Sequence, residues 1–325
     1  MSTPPLAHAD EISWFGDTFQ TIVDSVGGAL VGKERVVQLA VCCLAAGGHL
    51  LLEDVPGTGK TSLARALAAS VRGTHQRVQF TPDLLPSDVT GASIYDPRRQ
   101  VFEFRRGPVF ANVVLADEIN RASPKTQSSL LEVMEEGRVT VDGTTHAVPD
   151  PFMVIATQNP IEQAGTYRLP EAQLDRFLMK TAIGYPDADA TIDVLSGLAV
   201  RDRALAVGAV IDGAQVLRMR EVARSVHVSR PLLQFLQDLA ERSRDHRHVR
   251  LGLSVRGLLG YVHASKAWAA GHGRNYVVPD DLKDIAVPVM QHRMLLDADA
   301  EFDGVTVLDV IDELFDAVPL PSPQD

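Results

Sequence analysis

The chain has 325 residues, 45% apolar and 22% charged, with 31 basic against 42 acidic side chains and a net charge of −11. Those proportions belong to a globular protein with a large core, divided by length into two domains, and exclude a disordered or membrane-spanning class. The acidic balance argues against a surface built mainly to neutralise nucleic-acid phosphates, leaving only a local basic patch such as a pore lining.

Residues 1–26 are expected to form an N-terminal helical extension. It lacks the basic region and apolar run of a leader, and no uncharged apolar stretch approaches about 18 residues, so a cytoplasmic protein without a membrane span is expected. The only cysteines, Cys42 and Cys43, are adjacent in an apolar helical stretch and read as core thiols of a reducing compartment. From 27 to 190, short apolar runs at 50–55, 78–80, 113–116, 152–156 and 177–183 alternate with helical patterns. This predicts an α/β domain, a parallel five-stranded sheet between helices. Two hairpins interrupt that scheme. Residues 138–148 alternate around Asp142-Gly143, a pair suited to a tight turn, and residues 94–104 form a less regular second case. Residues 191–215 read as a linker, and 216–318 as a separate all-α domain. Within the latter, Leu232, Leu233, Leu236, Leu239 and Ala240 are expected on one helix face. The tail, 319–325, is too proline-rich to fold alone and is expected to be mobile.

The chemistry starts at Asp54-Val55-Pro56-Gly57-Thr58-Gly59-Lys60-Thr61, between an apolar run and an Ala/Leu-rich helical pattern. Gly57 and Gly59 let the backbone curl so that successive N–H groups point at phosphate oxygens, Lys60 supplies charge, and Thr61 offers a hydroxyl to Mg²⁺. The pattern G-x-x-x-x-G-K-[ST] holds except at its first position, where Asp54 replaces glycine. About 57 residues beyond Lys60, four apolar residues lead into Asp117-Glu118. An acid at that strand end can hold Mg²⁺ through its water shell, and Glu118 can polarise an attacking water. The following strand ends in Thr157-Gln158-Asn159, where an amide can position that water; the bland alternative for Asn159 is a turn residue before Pro160.

Together with Asp117–Gln127, Ala156–Pro160 and Leu169-Pro170-Glu171-Ala172-Gln173-Leu174-Asp175-Arg176-Phe177, the loop resembles the MoxR family of AAA+ ATPases, over roughly residues 27–295. The resemblance implies a P-loop AAA+ core with β-hairpin insertions and a C-terminal all-α lid. ATP and Mg²⁺ are the implied cofactors. It implies a Walker A loop at 54–61, Walker B acids Asp117 and Glu118, sensor 1 at Asn159, and an arginine finger at Arg176 that reaches the neighbouring subunit's γ-phosphate. The structural alternative for Arg176 is a salt bridge to Asp175 or Glu171. Leu251-Gly252-Leu253-Ser254-Val255-Arg256-Gly257 resembles the sensor 2 segment, with Val255 where the family has proline. Arg256 is then expected as a contact in cis, so that Lys60 and Arg256 hold one nucleotide from opposite sides. Val31 and Gly32 resemble the strip bordering the adenine, whereas His292-Arg293 reads as lid packing.

By the same resemblance the hairpins at 138–148 and 94–104 are the pre-sensor 1 and helix 2 insertions, which contact substrate in ring-shaped relatives. The implied assembly is a homo-oligomer, a hexameric ring. Its implied role is chaperone-like maturation of a protein client, often by metal insertion, with a von Willebrand factor A partner. A chelatase subunit, a nucleic-acid motor and a non-hydrolysing scaffold are the competing classes. The acidic charge and the lack of a recognisable nucleic-acid module weigh against the motor.

Overall fold

The computed structural model describes residues 8–30, 32–54, 57–159, 166–185, 191–192 and 206–321. In chain order the α/β part runs α1 (Ala9–Gly27), α2 (Glu34–Ala46), β1 (Leu50–Glu53), α3 (Lys60–Ser70), β2 (His75–Gln79), α4 (Pro86–Thr90), β3 (Gly91–Asp96), β4 (Val101–Arg106), β5 (Val113–Asp117), α5 (Pro124–Glu136), β6 (Arg138–Val141), β7 (Thr144–Ala147), β8 (Met153–Gln158), α6 (Glu171–Leu174) and β9 (Met179–Thr181). The lid follows with α7 (Gly213–Ser225), α8 (Arg230–Arg244), β10 (Val249–Leu251), α9 (Val255–Gly271), α10 (Pro279–Met290), β11 (Leu295–Leu296), α11 (Ala298–Phe302) and α12 (Val307–Ala317).

Five strands form one parallel sheet in the order β2-β5-β8-β1-β9. The central strands β5 and β8 are apolar and buried because helices cover both faces. β2 begins three residues earlier than its apolar run, at His75, because an edge strand needs little apolar character; only Val78 of its five residues is buried. Helix limits follow local chemistry. In α5 the Ser123 hydroxyl accepts the Thr126 N–H, Pro124 opens the first turn, and Gly137 closes the helix at φ 65°. In α8 the buried face is Leu232, Phe235, Leu236, Leu239 and Ala240, while Leu233 is exposed, a correction that follows from its position about 100° around the helix from Leu232.

Both hairpins form outside the sheet. β6 and β7 close through Asp142 and Gly143 at φ 49° and 75°, the twin positive values of a two-residue hairpin turn. β3 and β4 pair over six positions, from Gly91 with Arg106 to Asp96 with Val101, a more regular hairpin than its sequence suggested. The two meet where Phe104 stacks on His146, with ring centroids 4.2 Å apart.

The buried side chains divide into two clusters, one on each face of the sheet. The larger contains α1, α2 and α3 together with the lid helices, so the lid shares its core with the α/β part instead of closing a separate one. Its first helix starts at Gly213, capped by Asp212, slightly ahead of the expected boundary. Helix α1 is likewise integral, burying Phe15, Phe19 and Ile22 in that cluster. Val318 and Leu320 also pack there, which anchors the start of the proline-rich tail. Cys42 and Cys43 are buried as expected, and burial pushes the Cys42 thiol up to about 12.

Buried His49 ties the start of β1 to β8 and to α5: its Nδ1 accepts the Val154 N–H at 3.0 Å, so Nε2 donates to the Met134 carbonyl at 3.1 Å. Burial lowers its pKa to about 4, and buried His292 is lowered well below its ordinary value for the same reason. An unfolded histidine takes up its proton near pH 6.5, so the stability that neutral His49 contributes is complete above that pH and is lost as pH falls towards about 4. Urea unfolding should show a loss of about 2 kcal/mol from this residue between about pH 7.5 and pH 5. His49→Gln should reduce the pH dependence by about that amount.

Candidate active site

Because the five strands are parallel, their C-terminal ends lie along one edge, where open α/β sheets place ligands. The loop after β1 occupies that edge. Gly57 and Gly59 have φ of 88° and 99°, and a Cβ added at either meets nothing closer than 3.9 Å, so backbone conformation rather than space demands glycine. Gly59 then caps α3, whose first residues are Lys60 and Thr61, presenting a helix N-terminus to an anion. Lys60 Nζ donates to the Asp54 carbonyl at 3.2 Å, and Thr58 is buried beside it. Gly32 takes φ 73° just before α2. Val31 and Pro56 lie outside the described residues.

Asp54 explains the departure from the glycine-first pattern. Its buried Oδ2 accepts the N–H groups of Ile183 and Gly184, both at 2.8 Å, and so fastens the start of the loop to the chain leaving β9. A glycine there would leave both donors without this acceptor.

On β5, Asp117 Oδ2 accepts Arg77 Nη2 at 2.6 Å and its Oδ1 accepts the Thr157 hydroxyl at 2.6 Å. The same hydroxyl accepts the Glu118 N–H at 2.8 Å. Glu118 sits at φ 55°, a left-handed conformation uncommon for a side chain of this type, which turns the chain out of the strand. Its Oε2 accepts from Gln79 Nε2 at 2.7 Å and Arg121 Nη1 at 3.1 Å. Arg77, Gln79 and Thr157 were not legible as site residues; the alternation that puts Arg77 and Gln79 on one face of β2 carries meaning only once β2 is known to border β5. Asn159 follows β8 next to the loop, since Gln158 accepts the Asp54 N–H at 3.0 Å. It lines a cleft of about 890 Å³ between the strand ends and the lid, together with Glu53, Asn120, Arg168 and Lys180.

Arg176 and Arg256 lie elsewhere. Both contact Glu135 at the end of α5: Arg176 Nη2 meets Oε2 at 2.8 Å, and Arg256 Nη2 meets Oε1. They line a cavity of about 290 Å³ with Gly47, Gly48 and His49, residues that precede β1, whereas the phosphate loop follows β1. From His49 to Asp54 the strand rise alone is about 16 Å. The cis contact expected of Arg256 is not formed within this chain: Arg256 stands beside Arg176 at Glu135 and lines a cavity with residues that precede β1. The partner of Arg176 is neither Asp175 nor Glu171 but Glu135, and its buried Nε has no partner among the described residues. Glu135 itself was missed, because one more acid near the end of an exposed helix face gives no signal without the lid beside it.

Residues 49–179 match the ATPase family associated with various cellular activities (AAA), and residues 241–314 match an AAA lid domain. The chain is 38% identical over 313 residues to Chaperone MoxR1 of Mycobacterium tuberculosis, covering 94% of this chain and 82% of that protein. It is 32% identical over 333 residues to Protein MoxR of Paracoccus denitrificans, covering 94% and 96%. The chain belongs to the MoxR family of AAA ATPases. The chain is also 46% identical over 299 residues to the uncharacterized protein YeaC of Bacillus subtilis, covering 92% of this chain and 93% of that protein. A crystal structure from Cytophaga hutchinsonii, described there as a candidate ATPase, superposes with a TM-score of 0.89 at 35% identity, covering 96% of this chain and 98% of that one. As a MoxR-family ATPase the protein binds nucleotide and hydrolyses ATP.

Restoring the glycine-first pattern should harm this protein. Asp54→Gly is expected to lower stability by about 1–3 kcal/mol, the cost of buried N–H groups left without an acceptor, measurable as a fall in the urea midpoint.

Proposed function

We propose that this MoxR-family ATPase works as a homo-oligomeric ring, hexameric in its closed form, in which Arg176 and Arg256 of one subunit complete the nucleotide site of the next. The observation that carries the reading is the separation of the two arginines from the phosphate loop of their own chain, across the length of β1. Only a second copy, turned so that one sheet edge meets the opposite edge of its neighbour, brings these groups together.

In the assembled site the α3 N-terminus and Lys60 hold the β- and γ-phosphates, with Gly57, Thr58 and Gly59 supplying loop N–H groups and the strip at Val31 and Gly32 bordering the adenine. Glu118 polarises the attacking water and Asn159 orients it. The hard oxygens of Thr61 and Asp117 suit magnesium, held largely through water, which supplies charge neutralisation on the phosphates when bound. To take that role Asp117 shares or releases Arg77, and Glu118 releases Gln79 and Arg121. Arg176 and Arg256 then stabilise charge developing on the transferred phosphoryl group, which takes the place that Glu135 holds between them in the single chain.

For its biological role, we carry over chaperone-like work in the cytoplasm on a protein client. Maturation or metal insertion would occur with a von Willebrand factor A partner, and the hairpins β3–β4 and β6–β7 would touch the client. The word chaperone belongs to the Mycobacterium tuberculosis relative, and the acidic net charge favours protein over nucleic acid as the material handled. Among the described residues no helix is long and apolar enough to cross a membrane.

Lys60→Ala should abolish nucleotide binding, whereas Glu118→Gln should bind ATP and retain it unhydrolysed in a filter assay. Arg176→Ala and Arg256→Ala should each bind nucleotide normally and lose at least about 100-fold in turnover. Mixing either variant with Lys60→Ala should return activity, because Lys60→Ala subunits still offer both arginines to a neighbour. Arg256→Ala with weakened nucleotide binding, unrescued by mixing, would restore the cis reading.

A further inference from the structure

Asp175 precedes Arg176 in the chain, yet both of its carboxylate oxygens are taken by the lid. Oδ2 accepts the Ser254 hydroxyl at 2.7 Å, and Oδ1 accepts Arg293 Nε at 2.8 Å. Ser254 is the N-cap of α9, its Oγ also accepting the Gly257 N–H at 2.9 Å, so this contact fixes the helix that carries Arg256. Arg293 is 3% exposed, and it binds the chain on the far side of Arg176 as well: Nη2 donates to the Phe177 carbonyl at 2.6 Å and Nη1 to that of Leu178 at 3.0 Å. His292 adds a contact from Nε2 to the Phe177 carbonyl at 2.9 Å. Residues 175, 177 and 178 are thus all held by the lid, with Arg176 between them.

The surrounding small residues suit this arrangement. A Cβ at Gly257 would stand 2.8 Å from Arg293 Cδ, and one at Gly48 would stand 2.5 Å from Leu178, so glycine makes room for the arginine on one side and for the strand it grips on the other. A guanidinium so deeply buried is stable only with its carboxylate in place, which couples the two side chains tightly.

We infer that Asp175 and Arg293 are positioning residues that make the lid and the arginine finger one mechanical unit, so that any displacement of the lid is transmitted to Arg176. The inference rests on the proposed action of Arg176 on a neighbouring subunit. It assigns His292-Arg293, which the sequence suggested as mere packing, to control of the neighbour's hydrolysis. Any shift of the lid then alters the charge offered to the neighbouring site, a route for passing state around an oligomer.

The test is Asp175→Asn in the full-length protein, which keeps the size of the side chain and removes its charge. Its affinity for a fluorescent ATP analogue should stay within about twofold of the parent while kcat falls at least about tenfold, as expected when positioning alone is lost. Mixing with Lys60→Ala should restore turnover, since those subunits present a correctly held finger. Wild-type kcat, a parallel loss of nucleotide affinity, or failure of the mixture to recover would each overturn the inference. If Asp175→Asn melts before assay, Ser254→Gly replaces it, because glycine is tolerated at a helix N-cap. That variant should lower kcat about threefold at unchanged affinity, and an unchanged kcat would overturn the inference. Arg176→Ala run alongside separates the two ideas. If it keeps full turnover, the finger reading fails; if it is inactive while Asp175→Asn is normal, the coupling fails.

Discussion

The parallel hydrogen-bond ladder is the constraint on which everything else depends. Running β2, β5, β8, β1 and β9 in one direction places Gln79, Asp117, Gln158 and Glu53 along a single edge. The loop at 57–61, Asp117, Glu118 and Asn159 therefore lie at one edge although they are spread over about a hundred residues of chain. The same polarity separates Arg176 and Arg256 from that edge, because the residues they stand against precede β1. One geometric fact brings the first set of groups together and sets the two arginines apart from them.

Within that frame, carboxylates set the positions of most charged groups. Asp54 fastens the loop to the chain after β9, Asp117 and Glu118 are held from β2 and β8, Glu135 gathers two arginines, and Asp175 ties the chain at Arg176 to the lid. Their burial differs, and so does what they contribute. The half-exposed pair at Glu135 is weak and exchangeable, as partly exposed ion pairs are. The Asp175 to Arg293 pair is almost dry, and breaking it strands a buried charge, which suits a fixed joint. The lid is bound to the α/β part by this joint and by a shared apolar core, so the two are mechanically continuous.

Much of this was legible because local chemistry repeats locally. Gly57 and Gly59 need positive φ wherever the rest of the chain lies, and the Asp142-Gly143 pair specifies its turn without outside help. Apolar runs disclosed the central strands because burial on both faces demands them. β2 was read too short since an edge strand carries no such demand, and Leu233 was misplaced because a short helical count tolerates a neighbour one position off the buried face. The side of the sheet on which Arg256 stands depends on how the lid docks, and nothing within the segment 251–257 encodes that.

The sequence by itself determined the five-stranded α/β scheme, the order of its elements and the family, and it named the candidate residues of a nucleotide site. Each rests on short-range rules of backbone freedom, periodicity and motif spacing. Tertiary structure alone decided which groups meet: that Arg77 and Gln79 hold Asp117 and Glu118, that Arg176 and Arg256 converge on Glu135, and that Arg293 grips the chain on both sides of Arg176. Those contacts join residues far apart in the chain, and their geometry is set by strand order and by the seating of one packed face on another.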